Sequence, residues 1–170
     1  MANNKIDNLT IEGARIMFRN FSGKEGKFNR AGDRNFCVII DDPDMAKKLS
    51  KDGWNIKVWQ PKDEDAEPVN YIPVKLRYDM MPPKVYRISS ITGKQLLMTE
   101  DMIDAFDSED FRNVDLILHP YPWEINGKTG VTAYVKTMYV TVEEDALAAK
   151  YAVKGDRPYD AVGPEEDLPF

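Results

Sequence analysis

A protein that holds a flexible polyanion of stacked bases needs cations that follow the phosphates and rings on which the bases lie. The two interleave from Arg15 to Phe36, in the order Arg15, Arg19, Phe21, Lys24, Lys27, Phe28, Arg30, Arg34, Phe36. They recur in Trp54, Lys57 and Trp59, and again in Lys75, Arg77, Tyr78, Lys84, Tyr86 and Arg87. A lone Lys or Arg is ordinarily solvated surface, so the argument rests on clustering. In a β-rich chain an aromatic residue is more often core than platform. Phe18 and Phe36 are therefore assigned mostly to the core, and Trp59 and Tyr78 are left open. Phe21, Phe28 and Tyr86 stand in polar or basic surroundings and are expected at a binding surface. A strand over 53–59 sets Lys57 and Trp59 on one face and leaves one of its two tryptophans to the core.

The formal net charge of −6 speaks against a polyanion partner only as a single number. From Arg15 to Phe36 six basic residues face two acidic ones, a net of +4, and from Tyr71 to Leu97 five face one, again +4. Thr99 to Asp115 has one basic residue against seven acidic, a net of −6, and Val153 to Phe170 two against five, a net of −3. Charge is sorted into blocks, which can build a positive groove on an acidic protein.

Other chemistries find less support. A metal-dependent nuclease needs carboxylates converging on a divalent ion with a lysine nearby. Asp101, Asp104, Asp107, Glu109, Asp110 and Asp115 have no such spacing, and Glu124-Ile125-Asn126 lacks the lysine of a Glu-x-Lys pair. His119 and Cys37, each the only one of its kind, make no catalytic pair, and no glycine-rich phosphate loop is present. No enzyme activity, cofactor or metal is expected. A single cysteine excludes an intrachain disulfide, and Cys37, within Phe36-Cys37-Val38-Ile39-Ile40, reads as a small buried hydrophobe. No apolar run reaches the roughly 20 residues of a membrane span, and Met1 to Asn8 lacks a secretory core. A cytoplasmic protein is expected.

The elements that must position these residues read as short strands. Leu9, Ile11, Ile16 and Phe18 mark a first strand broken at Gly13, where a bulge or bend is expected. A polar loop over 20–33 leads to a second strand, Arg34 to Asp41. Asp42 caps a helix with Pro43 in its first position, ended by Gly53. Strands are expected over 54–59, 69–78, 84–89, 114–118 and 131–142, with a hairpin turn at Asn126-Gly127. Thr99 is expected to cap a short helix over 101–106, and Glu143 to Tyr151 to form a terminal helix. Many short strands and few helices give a mainly β fold, an elaborated OB-fold: a small barrel with short helices. Residues 1–152 form the body and 153–170 a flexible acidic tail without apolar periodicity.

The tail ends Glu165-Glu166-Asp167-Leu168-Pro169-Phe170. Pro169 biases Leu168 towards an extended form, and the α-carboxylate beside the Phe170 ring suits a basic rim next to an apolar pocket on a partner. This ending resembles the tip of bacterial single-stranded DNA-binding proteins, where an acidic run closes in Asp-(Ile/Leu)-Pro-Phe. The resemblance implies that Asp167, Leu168, Pro169 and Phe170 recruit replication, recombination and repair enzymes. Phe18-Arg19-Asn20-Phe21-Ser22-Gly23, Arg34-Asn35-Phe36, Gly53-Trp54-Asn55-Ile56-Lys57 and Pro120-Tyr121-Pro122-Trp123-Glu124 resemble a phage-type OB-fold single-stranded DNA-binding protein. That implies a DNA-binding barrel in a phage or prophage replication module, acting in a bacterial host cell, with single-stranded DNA as partner. The alternative is a replication or recombination adaptor acting mainly through protein contacts. A homo-oligomer is compatible with either.

Overall fold

The computed structural model describes residues 6–27, 29–79, 82–147 and 150, so Phe28, the 152/153 boundary and the tail lie outside the described residues. At Gly13 the backbone turns through φ +63, and its N–H donates to Asp115 Oδ1 at 2.8 Å. β1 (Leu9–Ile11) and β2 (Arg15–Asn20) are thus two arms of one bent strand.

β2 pairs antiparallel with β3 (Arg34–Ile40), and β3 with β5 (Val69–Leu76). β5 pairs parallel with β9 (Lys128–Val142), β9 antiparallel with β8 (Phe111–Ile125), and β8 antiparallel with β1. Since β1 and β2 are one strand, the path returns to its start. Five strands close on themselves in the order of an OB-fold, which removes the exposed edges of an open sheet. Phe36, Val38, Ile72, Val74, Leu116, Leu118 and Val135 alternate inward to fill it.

The elaborations are inserted between these strands. Helix α1 (Pro43–Asp52) follows β3, whereas an OB-fold ordinarily carries its helix between the third and fourth barrel strands. The Asp42 carboxylate accepts from Asp44 N–H at 3.0 Å. Gly53, at φ +111, closes the helix, and Trp54 N–H donates to Leu49 carbonyl at 3.0 Å. That turn drives Trp54 into the core with Ala46 and Leu49. The strand expected over 54–59 shrinks to β4 (Lys57–Trp59), which takes the part of the β5 edge that β9 leaves open. β6 (Lys84–Ser89) runs parallel to the C-terminal half of β9 and carries β7 (Gln95–Met98) on its far side.

Several expectations need correction. β8 and β9 are far longer than 114–118 and 131–142, because Asn126 and Gly127 (φ 52 and 82) make a tight turn at the tip of an arm beyond the barrel. Thr99 does not cap with its side chain. Its hydroxyl donates to Asp101 Oδ1, and its carbonyl accepts from Met102 and Ile103 ahead of a 3-10 helix, Ile103–Asp107. Glu143 to Asp145 leave β9 without helix, and only part of the expected terminal helix lies among the described residues.

Candidate nucleic-acid interface

Partners in register carry their side chains on the same face, so the outer face of the barrel can be followed row by row. One row runs Arg15, Ile39, Tyr71, Lys57. The next runs Met17, Cys37, Pro73, and a third Asn20, Asn35, Lys75, Tyr134, His119. This face joins β2, β3, β5 and β4 to the root of the β8–β9 arm.

Rings reach this face by a local distortion. The β2–β3 register shifts between Met17 and Asn20, and Phe18 in that bulge sits at φ +55. A bulky residue at positive φ is rare and costs strain. The result turns Phe18 outward, 55% exposed, with its ring 5.3 Å from Trp59 at 88°. The assignment of Phe18 to the core is therefore corrected. So is that of Phe21 to the surface: it is fully buried, stacked on Phe36 and edge-on to Phe106 and Phe111. Trp54 is likewise core, while Trp59 is exposed. Half-buried Cys37 lies on the outer face beside Tyr71 and Lys57. Burial raises its thiol to about 11, Lys57 acting the other way, so it is a neutral thiol.

The cations divide into two sets. Three arginines are structural. Arg19 donates to the carbonyls of Phe106 (2.9 Å) and Glu109 (2.7 Å) and lies over the Phe111 ring. Arg34 donates to Phe21 carbonyl and pairs with Asp104 at 2.8 Å. Arg87 is clamped by Glu109 at 2.7 Å and Glu144 at 2.8 Å. These three are withdrawn from the expected DNA contacts. Arg15 and Arg30 stay exposed and Arg77 half-buried, in ion pairs with Asp41, Asp33 and Asp79. Among the described residues Lys57, Lys75 and Lys84 are exposed and form no ion pair. Sequence reasoning missed one more. The β8–β9 register jumps from Leu118↔Val135 to Ile117↔Thr137, so Lys136 is the unmatched residue of a bulge and points outward.

Lys24, Lys27 and Arg30 belong to the loop between β2 and β3, which is built rather than loose. Asp107 accepts from Phe21 N–H at 2.6 Å and Ser22 N–H at 3.0 Å; Asn29 Nδ2 donates to the carbonyls of Lys24, Arg30 and Asp33. At Gly23 (φ +71) a Cβ would stand 3.0 Å from the Gly32 backbone, so only glycine lets the loop's two sides meet. Tyr78, half-buried beside Arg30, Arg34 and Arg77, has a hydroxyl without a hydrogen-bond partner among the described residues. Burial pushes it up to about 12. Lys84 and Tyr86 lie further along β9, opposite Thr137 and Tyr139, and the Tyr86 and Tyr139 rings stack at 5.1 Å.

The arm adds rings of its own. Tyr121 meets Tyr134 edge-on at 5.8 Å. Trp123 faces Gly130 in register, and a Cβ there would lie 2.4 Å from Trp123 Cζ2, so the indole lies flat across the bare backbone. The acidic run, by contrast, is spent on the scaffold: Asp104, Asp107, Glu109 and Asp115 hold Arg34, the β2–β3 loop, Arg87 and the Gly13 bend. Among the described residues no three His, Cys, Asp or Glu side chains are placed to hold a metal ion.

A closed barrel of OB order with rings and lysines on one outer face is the architecture of OB-fold nucleic-acid binders. Residues 1–163 match the family model described as "Putative phage ssDNA-binding domain", and the chain belongs to that family. Among solved structures, the single-stranded DNA-binding protein of bacteriophage Enc34 in complex with ssDNA is similar at TM-score 0.54 and 10% identity, over 81% of this chain and 88% of that chain. Its C-terminal truncation gives 0.53 and 11%, over 81% and 87%. At such identity the likeness concerns the fold. No curated protein matches the chain.

Proposed function

We propose that this protein binds single-stranded DNA with little base preference, along the outer face of β2, β3, β5 and β4 and onto the β8–β9 arm. The observation that carries this reading is the strained bulge that turns Phe18 out against Trp59, beside lysines that form no ion pair among the described residues. Membership of the family, and a fold shared with a protein solved with ssDNA, support it. Phe18, Trp59, Tyr71, Tyr121 and Trp123 supply rings that accept any base. Lys57, Lys75 and Lys136, with Arg15, Arg77, Lys24, Lys27 and Arg30, supply charge for the backbone. Lys84 and Tyr86 extend the path along β9.

The role that follows is to cover and protect single strands during replication and recombination, in the cytoplasm of a bacterial host, with no chemistry of its own. Asp167 to Phe170 then recruit replication or repair enzymes, a reading supported by the resemblance of that ending. The test is a titration of tryptophan fluorescence with poly-dT at several salt concentrations. Log affinity should fall linearly with log salt, with a slope of about −0.7 per phosphate neutralised. Absence of binding at low salt, or tighter binding of duplex, would overturn the proposal.

A further inference from the structure

Resting on the DNA-binding reading above, we infer that His119 holds a backbone phosphate of the bound strand through Nε2, as an imidazolium, so that single-stranded DNA and a proton bind together. His119 is the only histidine of the chain. Two strand pairings put its ring on the outer face. Leu9 and Leu118 are partners and both turn inward, so Asn8 and His119 turn outward. On the other side Tyr134 of β9 stands opposite His119, and Lys75 of β5 opposite Tyr134. His119 therefore shares a row with Lys75, two strand spacings or about 10 Å away. Lys136 bulges outward from β9 just beyond Tyr134. Phosphates held by these lysines pass beside the half-buried imidazole.

Asn8 fixes which nitrogen is offered. Its Oδ1 lies 3.2 Å from His119 Nδ1. An amide oxygen only accepts, so Nδ1 carries the ring hydrogen and Nε2 keeps its lone pair. Among the described residues Nε2 has no hydrogen-bond partner. A lone pair there repels a phosphate oxygen, whereas a protonated Nε2 is a charged donor to it.

The groups around the ring leave this role to the DNA. β9 presents Tyr134 and Lys136, β5 presents Lys75, and β8 itself presents Tyr121 and Asp115. The β1 side presents Asn8 and Thr10, with Asp7 preceding Asn8 in the chain. Asp115 accepts from Gly13 N–H, and among the described residues no carboxylate pairs with His119. A phosphate at Nε2 stabilises the charged ring, and by reciprocity the charged ring tightens the hold on the phosphate. With DNA bound the ring keeps its proton to higher pH. Affinity is then highest at low pH and falls as pH rises through the midpoint of the bound ring. An opposite charge in contact moves such a midpoint by about one pH unit or more, and one unit corresponds to about tenfold in affinity.

The experiment is proton NMR of the full-length protein, alone and saturated with a short oligo-dT, from about pH 5.5 to about pH 8. A sole histidine gives one unambiguous imidazole signal. Its titration midpoint should rise by about one pH unit when DNA is bound. Affinity for the same oligo-dT should rise by up to about tenfold as pH falls across that range. Thymine, phosphodiesters and lysines do not titrate there, nor does the Cys37 thiol, raised to about 11. His119→Gln should flatten the pH response, and His119→Lys, with its permanent charge, should bind tightly throughout the range. A midpoint unmoved by saturating DNA overturns the inference, as does a folded His119→Gln that keeps the full pH response. If His119→Gln does not fold, the wild-type midpoint decides alone. A wild type that binds no oligo-dT at any pH overturns the DNA-binding reading, and this inference with it.

Discussion

At the scale of single residues, the arginine–lysine division separates scaffold from surface. A guanidinium has a rigid fork of donors that can satisfy several acceptors together. Arg19, Arg34 and Arg87 are used that way, each joining distant segments. Lys57, Lys75 and Lys136 are point charges on flexible stems, suited to a backbone whose phosphates vary in position. The rings divide likewise. Phe18→Ala or Trp59→Ala should lose roughly 1–3 kcal/mol of DNA binding and little stability. Phe21→Ala should lose about 3–5 kcal/mol of stability. Melting and titration on the same three variants check both; loss of fold in all three would mean that Phe18 and Trp59 are not a platform. The sequence reading had Phe18 and Phe21 reversed for a physical reason. Period-two alternation fixes sides only while the strand is regular, and nothing in Met17-Phe18-Arg19 announces a left-handed backbone at a phenylalanine.

At the scale of elements, what was legible was local. The bend at Gly13, the helix from Asp42 to Gly53 and the turn at Asn126-Gly127 follow from the conformational freedom or capping chemistry of one or two residues. The parallel pairing of β6 with β9 depends on residues some fifty positions apart (Lys84↔Thr137), and the bulge that turns out Lys136 on a register shift between β8 and β9 (Leu118↔Val135, Ile117↔Thr137), and no local pattern carries either. The arm shows what a pairing adds. Trp123 can lie flat only because Gly130 opposite it has no side chain. The backbone of Gly130 is not in the left-handed region, so Gly130→Ala acts through the indole alone. The methyl should push Trp123 off the arm, weaken DNA binding several-fold and leave the melting temperature nearly unchanged, since both residues stand outside the barrel core. Unaltered binding with a displaced indole, read from tryptophan emission, would remove the arm from the interface.

At the scale of the whole molecule, an acidic protein can hold a polyanion only if its charges are kept apart. The negative block over 99–115 is spent on arginines, backbone N–H groups and the Gly13 bend, which leaves lysines on the outer face. Another negative block lies in 153–170. The recruiting role proposed above carries a test of its own: carboxylates tethered to a cationic surface compete with phosphates for its lysines, so on that proposal DNA should displace the tail and free Phe170 for a partner. Deleting Gly163 to Phe170 should tighten DNA binding slightly, mostly at low salt, where screening is weakest. It should leave the melting temperature unchanged, because the barrel closes through the β1–β8 pairing without these residues. It should also abolish capture of replication enzymes, as should removal of Phe170 alone, which takes away the ring and moves the carboxylate. A pull-down with purified host or phage replication enzymes checks the recruiting role separately from the DNA titration: a truncated chain that keeps every partner of the full-length one refutes recruitment, and a truncation that leaves low-salt affinity unchanged refutes the competition.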